Sequence, residues 1–285
     1  MNKSWTTTGK IQPQKLTESR LQIHYAIQFI AIIGSALAEP VPDYSHTSFD
    51  WNPELEVFVG TLIRTIKPFR IALEPVSLTA IILDKQYDTI ATFPLHQQTM
   101  LETLNWHKQE IVKLGADTRK IELPDYPPDD FPDYVIAHGA TFDANNEQSR
   151  RQELVNYYAN TQQILQEIVA TTEEASAIHI WPHHFDIATL ITLTSIKNGQ
   201  PMTIGIGMSP GDFNYSEPYW YVTPYPYPDT TDLPKLEGSG FWHTQHWVGG
   251  VLTGSQLSGE GDMQRQQITA FFNSAYQASK ALLIS

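Results

Sequence analysis

His184 and Asp186 stand two residues apart, and His243 follows far along the chain. His-Xaa-Asp with a distal His is the sequence order of a two-histidine, one-carboxylate metal site, of the kind that holds iron or zinc with open positions for oxygen or water. These residues belong to a dense stretch. Between Ile178 and Trp247 lie His179, His183, His184, His243 and His246 together with Trp181, Trp220, Trp242 and Trp247, from totals of ten histidines and seven tryptophans. The stretch divides into Ile180–Asp186, Gly205–Asp212 running on to Tyr221, and Gly240–Trp247. On a strand, residues two apart share a face, which would aim His184 and Asp186 the same way.

Two physical points oppose the metal reading. Enzymes with this pattern that use an oxo-acid cosubstrate anchor its carboxylate with Arg or Lys after the distal histidine, yet no basic residue occurs between Lys235 and Arg265. A meander of four strands from His184 to His243 would also hold them about 14 Å apart. The alternative for the same residues is packing: imidazoles and Asp186 satisfying buried backbone groups among strand aromatics. The remaining reading is an organic-ligand pocket. Its candidate lining is His183, His184, Asp186, Glu217, Tyr221, Trp242, His243 and His246, with Tyr219, Trp220 and Trp247 as further walls. Such walls suit sugars among other ligands. An aromatic interface for self-association is the non-catalytic counterpart.

Other motifs carry less. Ser209-Pro-Gly-Asp212 fits a type II turn, with Asp212 stabilising its exit, better than a nucleophile elbow, because no strand–turn–helix frame surrounds it. Gly205 and Gly207 leave one strand face bare, open to close backbone approach or a flat ligand. Asp43-Tyr-Ser-His46 and Asp50-Trp51 read as a loop that caps a turn or closes over the aromatic sheet face, the turn being the simpler reading.

The elements that must position these residues follow from periodicity. Helices are expected from Thr17 through Leu37, from Thr99 with a capping box to Glu102 and a stop at Gly115, from Ser149 with Gln152, and from Asp262 to Leu282. Strands are expected at Phe69–Leu73, Leu78–Leu83, Thr89–Leu95, Ala177–Thr194, Met202–Ser209, Tyr219–Pro224 and Trp242–Leu252, with a turn at Asn198-Gly199. Runs of strands bracketed by helices predict an α+β fold, an antiparallel sheet packed on about four helices. Each half repeats helix, strands, helix, so two similar halves are conceivable. We expect one domain over 1–285, with subdomains 1–122 and 135–285 joined by the proline- and acid-rich segment 123–134.

Phe185-Asp-Ile-Ala188, Tyr225-Pro-Tyr-Pro228 and Phe272-Asn-Ser-Ala-Tyr-Gln-Ala278 occur in order along the chain. In these the chain resembles a bacterial family, a domain of unknown function, with a Phe-Asp-Leu-Ala strand after a long helix, a Tyr-Pro-Xaa-Pro segment and a closing helix. The resemblance implies a shared fold and no particular activity. The family carries Gly and Ser where this chain has His183 and His184, which argues against a mechanism resting on those two histidines.

Composition sets the outer bounds. The net charge of −13 and the lack of any basic cluster argue against nucleic acid. There is no cysteine, hence no disulfide or zinc–thiolate site. Ile27–Ala38 imitates a signal peptide, but its basic lead-in is long and His24 and Gln28 interrupt it; it is also too short to span a bilayer. A buried helix is expected there, in a cytoplasmic protein with no membrane partner.

Overall fold

The computed structural model describes residues 5–124, 131–197 and 200–284. The fold is α+β with antiparallel strand pairing. The chain forms two compact units, one made of Leu16–Val155 and His179–Phe185, the other of Met1–Lys15, Asn156–Ile178 and Asp186–Ser285. The chain therefore passes between units inside a helix and beside the histidine pair. At the segment 123–134 it stays within the first unit.

In the first unit, α1 (Thr17–Ala26) and α2 (Gln28–Leu37) are separated only by Ile27, whose backbone stays near-helical. Ile23, Phe29, Ile30 and Ile33 on them are buried, as the three- and four-residue spacing requires. The strands are β1 (Phe49–Asn52), β2 (Val57–Gly60), β3 (Phe69–Glu74), β4 (Thr79–Asp84) and β5 (Thr89–Pro94). Helix α3 (Met100–Lys113) follows, then α4 (Gln148–Thr171), which passes into the second unit after Val155, and β6 (His179–Ile180) returns to the first unit. The strand order is β6-β1-β2-β3-β4-β5. Thr99 and Glu102 form the expected reciprocal capping box at the start of α3. The expectation of a loop at Asp50-Trp51 is corrected: both residues are on β1, with Trp51 buried.

The described end of the proline-rich segment is anchored to α1. Phe131 packs edge-on to Tyr25 at 5.1 Å, and Tyr25 Oη donates to Pro132 O at 2.7 Å. Gln22 Nε2 donates to Tyr134 Oη at 3.2 Å. A solvated linker would make no such contacts.

In the second unit, β7 (Ile187–Lys197), β8 (Gln200–Ser209), β9 (Tyr219–Tyr225), β10 (Phe241–His243) and β11 (Gly249–Thr253) are followed by α5 (Asp262–Ile284). Their order is β7-β8-β9-β11-β10. The turn expected at Asn198-Gly199 lies outside the described residues. The register puts Ile206 against Val222 and Met208 against Trp220, and it sets Trp220 beside Leu252. These side chains are buried on the face that meets the helices: Trp220 Nε1 donates to Thr161 Oγ1 at 2.9 Å, and its ring lies 5.7 Å from Tyr157. Among the described residues no helix is long and apolar enough to cross a membrane.

Candidate functional site

The second face of the β7–β10 sheet carries the chemistry. Alternation assigns Gly205, Gly207, Tyr219, Tyr221, Phe241 and His243 to it. Gly207 faces Tyr221 across β8 and β9, and a Cβ there would lie 2.8 Å from the Tyr221 hydroxyl and 2.5 Å from Ile187 O. The bare strand is thus covered by a side chain of this same chain. The Tyr221 hydroxyl crosses it to donate to Asp186, which is buried just ahead of β7.

Asp212 does the corresponding work for Tyr219. Its Oδ1 accepts from the backbone N–H groups of Asn214 (2.7 Å) and Tyr215 (3.0 Å), an Asx-type turn. Its Oδ2 accepts from Tyr219 Oη at 2.7 Å. From there the rings run on: Tyr215 lies 4.8 Å from Tyr219 and 6.2 Å from Phe241, and His243 stacks on Trp247 at 4.4 Å. His243 Nε2–H donates to Gln245 O at 2.6 Å, so Nδ1 is an acceptor and takes the Tyr215 hydroxyl proton at 2.8 Å. Burial, followed by the Asp186 carboxylate, pushes the Tyr221 phenol well above its usual value of 10. Burial and then Asp212 also raise the phenols of Tyr219 and Tyr215.

Several expectations are corrected. His183 and His184 do not lie on a strand. Pro182 lacks the N–H a ladder needs, the chain turns so that Phe185 N donates to Trp181 O at 2.7 Å, and Phe185 takes a positive φ of 55°. The two imidazoles lie 3.9 Å apart in that turn, within the first unit, with His184 exposed. Asp186 therefore shares no strand face with His184. Asp186 and His243 bracket the second sheet from opposite edges, four strand spacings or about 19 Å apart. Both nitrogens of His243 are already hydrogen-bonded, and among the described residues no group of three His, Asp or Glu could hold a metal ion. The His184–Asp186–His243 set is not a zinc or iron centre.

Glu217 is a structural anchor: Oε2 accepts from Ser255 N at 2.6 Å, and Oε1 from Ser255 Oγ and Gln14 Nε2, each at 2.9 Å. Trp242 pairs with Gly250 and so points to the helix side, its Nε1 donating to Pro234 O at 2.7 Å. His246 sits exposed in the β10–β11 connection with a φ of 67°. Of the candidate lining, Asp186, Tyr221 and His243 are on the aromatic face. Asp212 and Tyr215 are its unforeseen members: the chain bends at Pro210 as it leaves β8, the Asp212 N–H bonds forward to Tyr215 O at 2.8 Å, and nothing in the Ser209-Pro-Gly-Asp212 pattern announces that Asp212 has a second oxygen for Tyr219.

No protein-family model matches the chain, and no curated protein or solved structure is significantly similar to it. The likeness carried by Phe185–Ala188, Tyr225–Pro228 and Phe272–Ala278 rests on those motifs alone.

Proposed function

We propose that this chain binds a small ring-shaped molecule on the aromatic face of its second unit, as a cytoplasmic binding protein of the bacterial family its motifs resemble. One observation carries the reading: Tyr221, Tyr219, Tyr215, His243 and Trp247 line a single sheet face, and two carboxylates and a histidine fix their hydroxyls. The partly exposed rings of Tyr215, His243 and Trp247, held in place and backed by the buried Tyr219, present stacking surfaces at little conformational cost. Sugars suit such a surface, with apolar ring faces to stack and hydroxyls to reach the rim. The charge of −13 speaks against a nucleic acid as the occupant. Calorimetry with a panel of neutral mono- and disaccharides tests the proposal. A saccharide that binds, and binds at least about tenfold more weakly to Trp247→Ala, upholds it; absence of binding across the panel sinks the sugar assignment.

Self-association is the second reading, favoured by Phe213, which is 88% exposed next to Asp212. Sedimentation velocity of wild type and Phe213→Ser decides it: a dimer lost on substitution would assign this patch to a second copy.

A further inference from the structure

The first unit holds a different set of ionisable groups. Phe49 of β1 pairs with Ile180 of antiparallel β6, so the register sets Asp50 opposite His179, as side-chain neighbours on one face. His179 Nδ1 lies 2.9 Å from Ser48 Oγ, and that hydroxyl lies 2.8 Å from Ser45 O. The single hydroxyl proton goes to the carbonyl, so Nδ1–H donates to Oγ and Nε2 keeps its lone pair. The Trp181 ring stands 5.4 Å from the imidazole. Asp50 also pairs with Val59, which pairs with Ala72, and this places Arg70 on the same face of β3. The Arg70 guanidinium lies 5.0 Å over the Tyr87 ring and gives one N–H to Gly60 O at 3.1 Å. Its Nε is buried with no acceptor among the described residues.

An acid, an imidazole lone pair and a guanidinium therefore share one face with hydrogen-bonding capacity unfilled. We propose that Asp50, His179 and Arg70 bind a small zwitterion of the α-amino acid class. Its ammonium group donates to Asp50 and to His179 Nε2, its carboxylate takes the remaining guanidinium donors, and its side chain lies against Trp181. A lone anion would meet Asp50 unfavourably and a lone cation would leave Arg70 unmatched, whereas a zwitterion answers both. The state of Asp50 agrees. Crowding raises its pKa although the residue reaches solvent, and positive charge on its neighbours, the Arg70 guanidinium among them, pulls it down, so an added ammonium would stabilise the carboxylate. Asp43, the other acid facing His179, is held below the usual carboxylate range first by the Ser45 N–H.

The test is a titration of the full chain with L-phenylalanine, followed by calorimetry and by the nitrogen resonances of His179. The expected result is a His179 Nε2 resonance that moves on binding. Phenethylamine and phenylacetate, each with half the charges, should bind at least about tenfold more weakly. Asp50→Asn and Arg70→Gln, with near-ultraviolet dichroism unchanged, should each weaken L-phenylalanine by a similar factor. An unmoved His179 at millimolar L-phenylalanine overturns the proposal, as does equal binding of phenethylamine. The half-ligand comparison on wild type decides the matter if a variant does not fold.

Discussion

Tyr221 reaches over Gly207 to donate its hydroxyl to Asp186, joining β9 to the start of β7 across the intervening strand. The contact exists because position 207 has no side chain. It fixes an aromatic ring on the sheet face and satisfies a carboxylate that burial would otherwise penalise.

Gly207→Ala should destabilise the protein by about 1–3 kcal/mol, since its methyl group meets a backbone carbonyl as well as the Tyr221 hydroxyl. Gly205→Ala should cost less, because the nearest atom there is a side-chain methyl of Thr223 at 3.2 Å. Paired thermal or urea melts check the order, and equal midpoints for the two variants would contradict the packing described.

Alkali should unfold the protein through its buried phenols. Tyr219 and Tyr221 have folded-state pKa values raised above 10, by burial first and the neighbouring carboxylates next. The unfolded chain loses these protons near pH 10 while the folded chain keeps them, so stability is full below about pH 10 and falls as pH rises beyond it. Tyrosinate absorbance of the folded protein should leave these groups un-ionised until the fold is lost, and Tyr221→Phe should flatten the dependence. Titration of Tyr221 near pH 10 in folded protein would be the opposite result.

Acid acts on two histidines of the first unit. Burial lowers His24 to a pKa of about 3 and His107 to about 4, each opposed by one backbone carbonyl, Pro182 O and Thr103 O. Their neutral forms belong to the fold, so the stability they contribute is present above about pH 6.5 and is lost as pH falls toward those values. Each contributes a slope of up to about 1.4 kcal/mol per pH unit within that window. Replacing His107, whose Nε2 is buried without a partner among the described residues, by Leu should remove about one proton from the measured slope between pH 6 and 4.5. An unchanged slope would mean that His107 already titrates in the folded state.

Much of the fold was legible because the helix signals are local. The Thr99–Glu102 box and the Gly115 stop, with its φ of +86°, depend only on near neighbours. The interruption at Ile27 was not legible, since the residue keeps helical angles and the apolar spacing runs through it. Strands β1 and β2 are four residues each, and the turn-favouring Asp50, Asn52 and Pro53 mask the alternation of the buried Phe49 and Trp51. The site was legible as a region and misread in its members. His184 and Asp186 have the spacing of strand partners, but Pro182 breaks the ladder ahead of them and the chain turns there. Trp242 and His243 are adjacent in the same short strand, yet the alternation sends one to the helices and the other to the opposite face. Asp212 and Tyr215 were hidden because their partnership with Tyr219 and His243 is set by the sheet and not by sequence distance.

The most direct measurement follows the indole N–H resonances of the second unit during titration with the tightest-binding saccharide of the panel. Trp220, hydrogen-bonded to Thr161 on the helix side, and Trp242, bonded to Pro234 O, serve as internal controls for Trp247. A ligand on the aromatic face should move Trp247 together with His243, which it stacks at 4.4 Å, and leave Trp220 in place. Movement of Trp220 with Trp247 and His243 unchanged would put the ligand on the opposite side of the sheet and contradict the assignment.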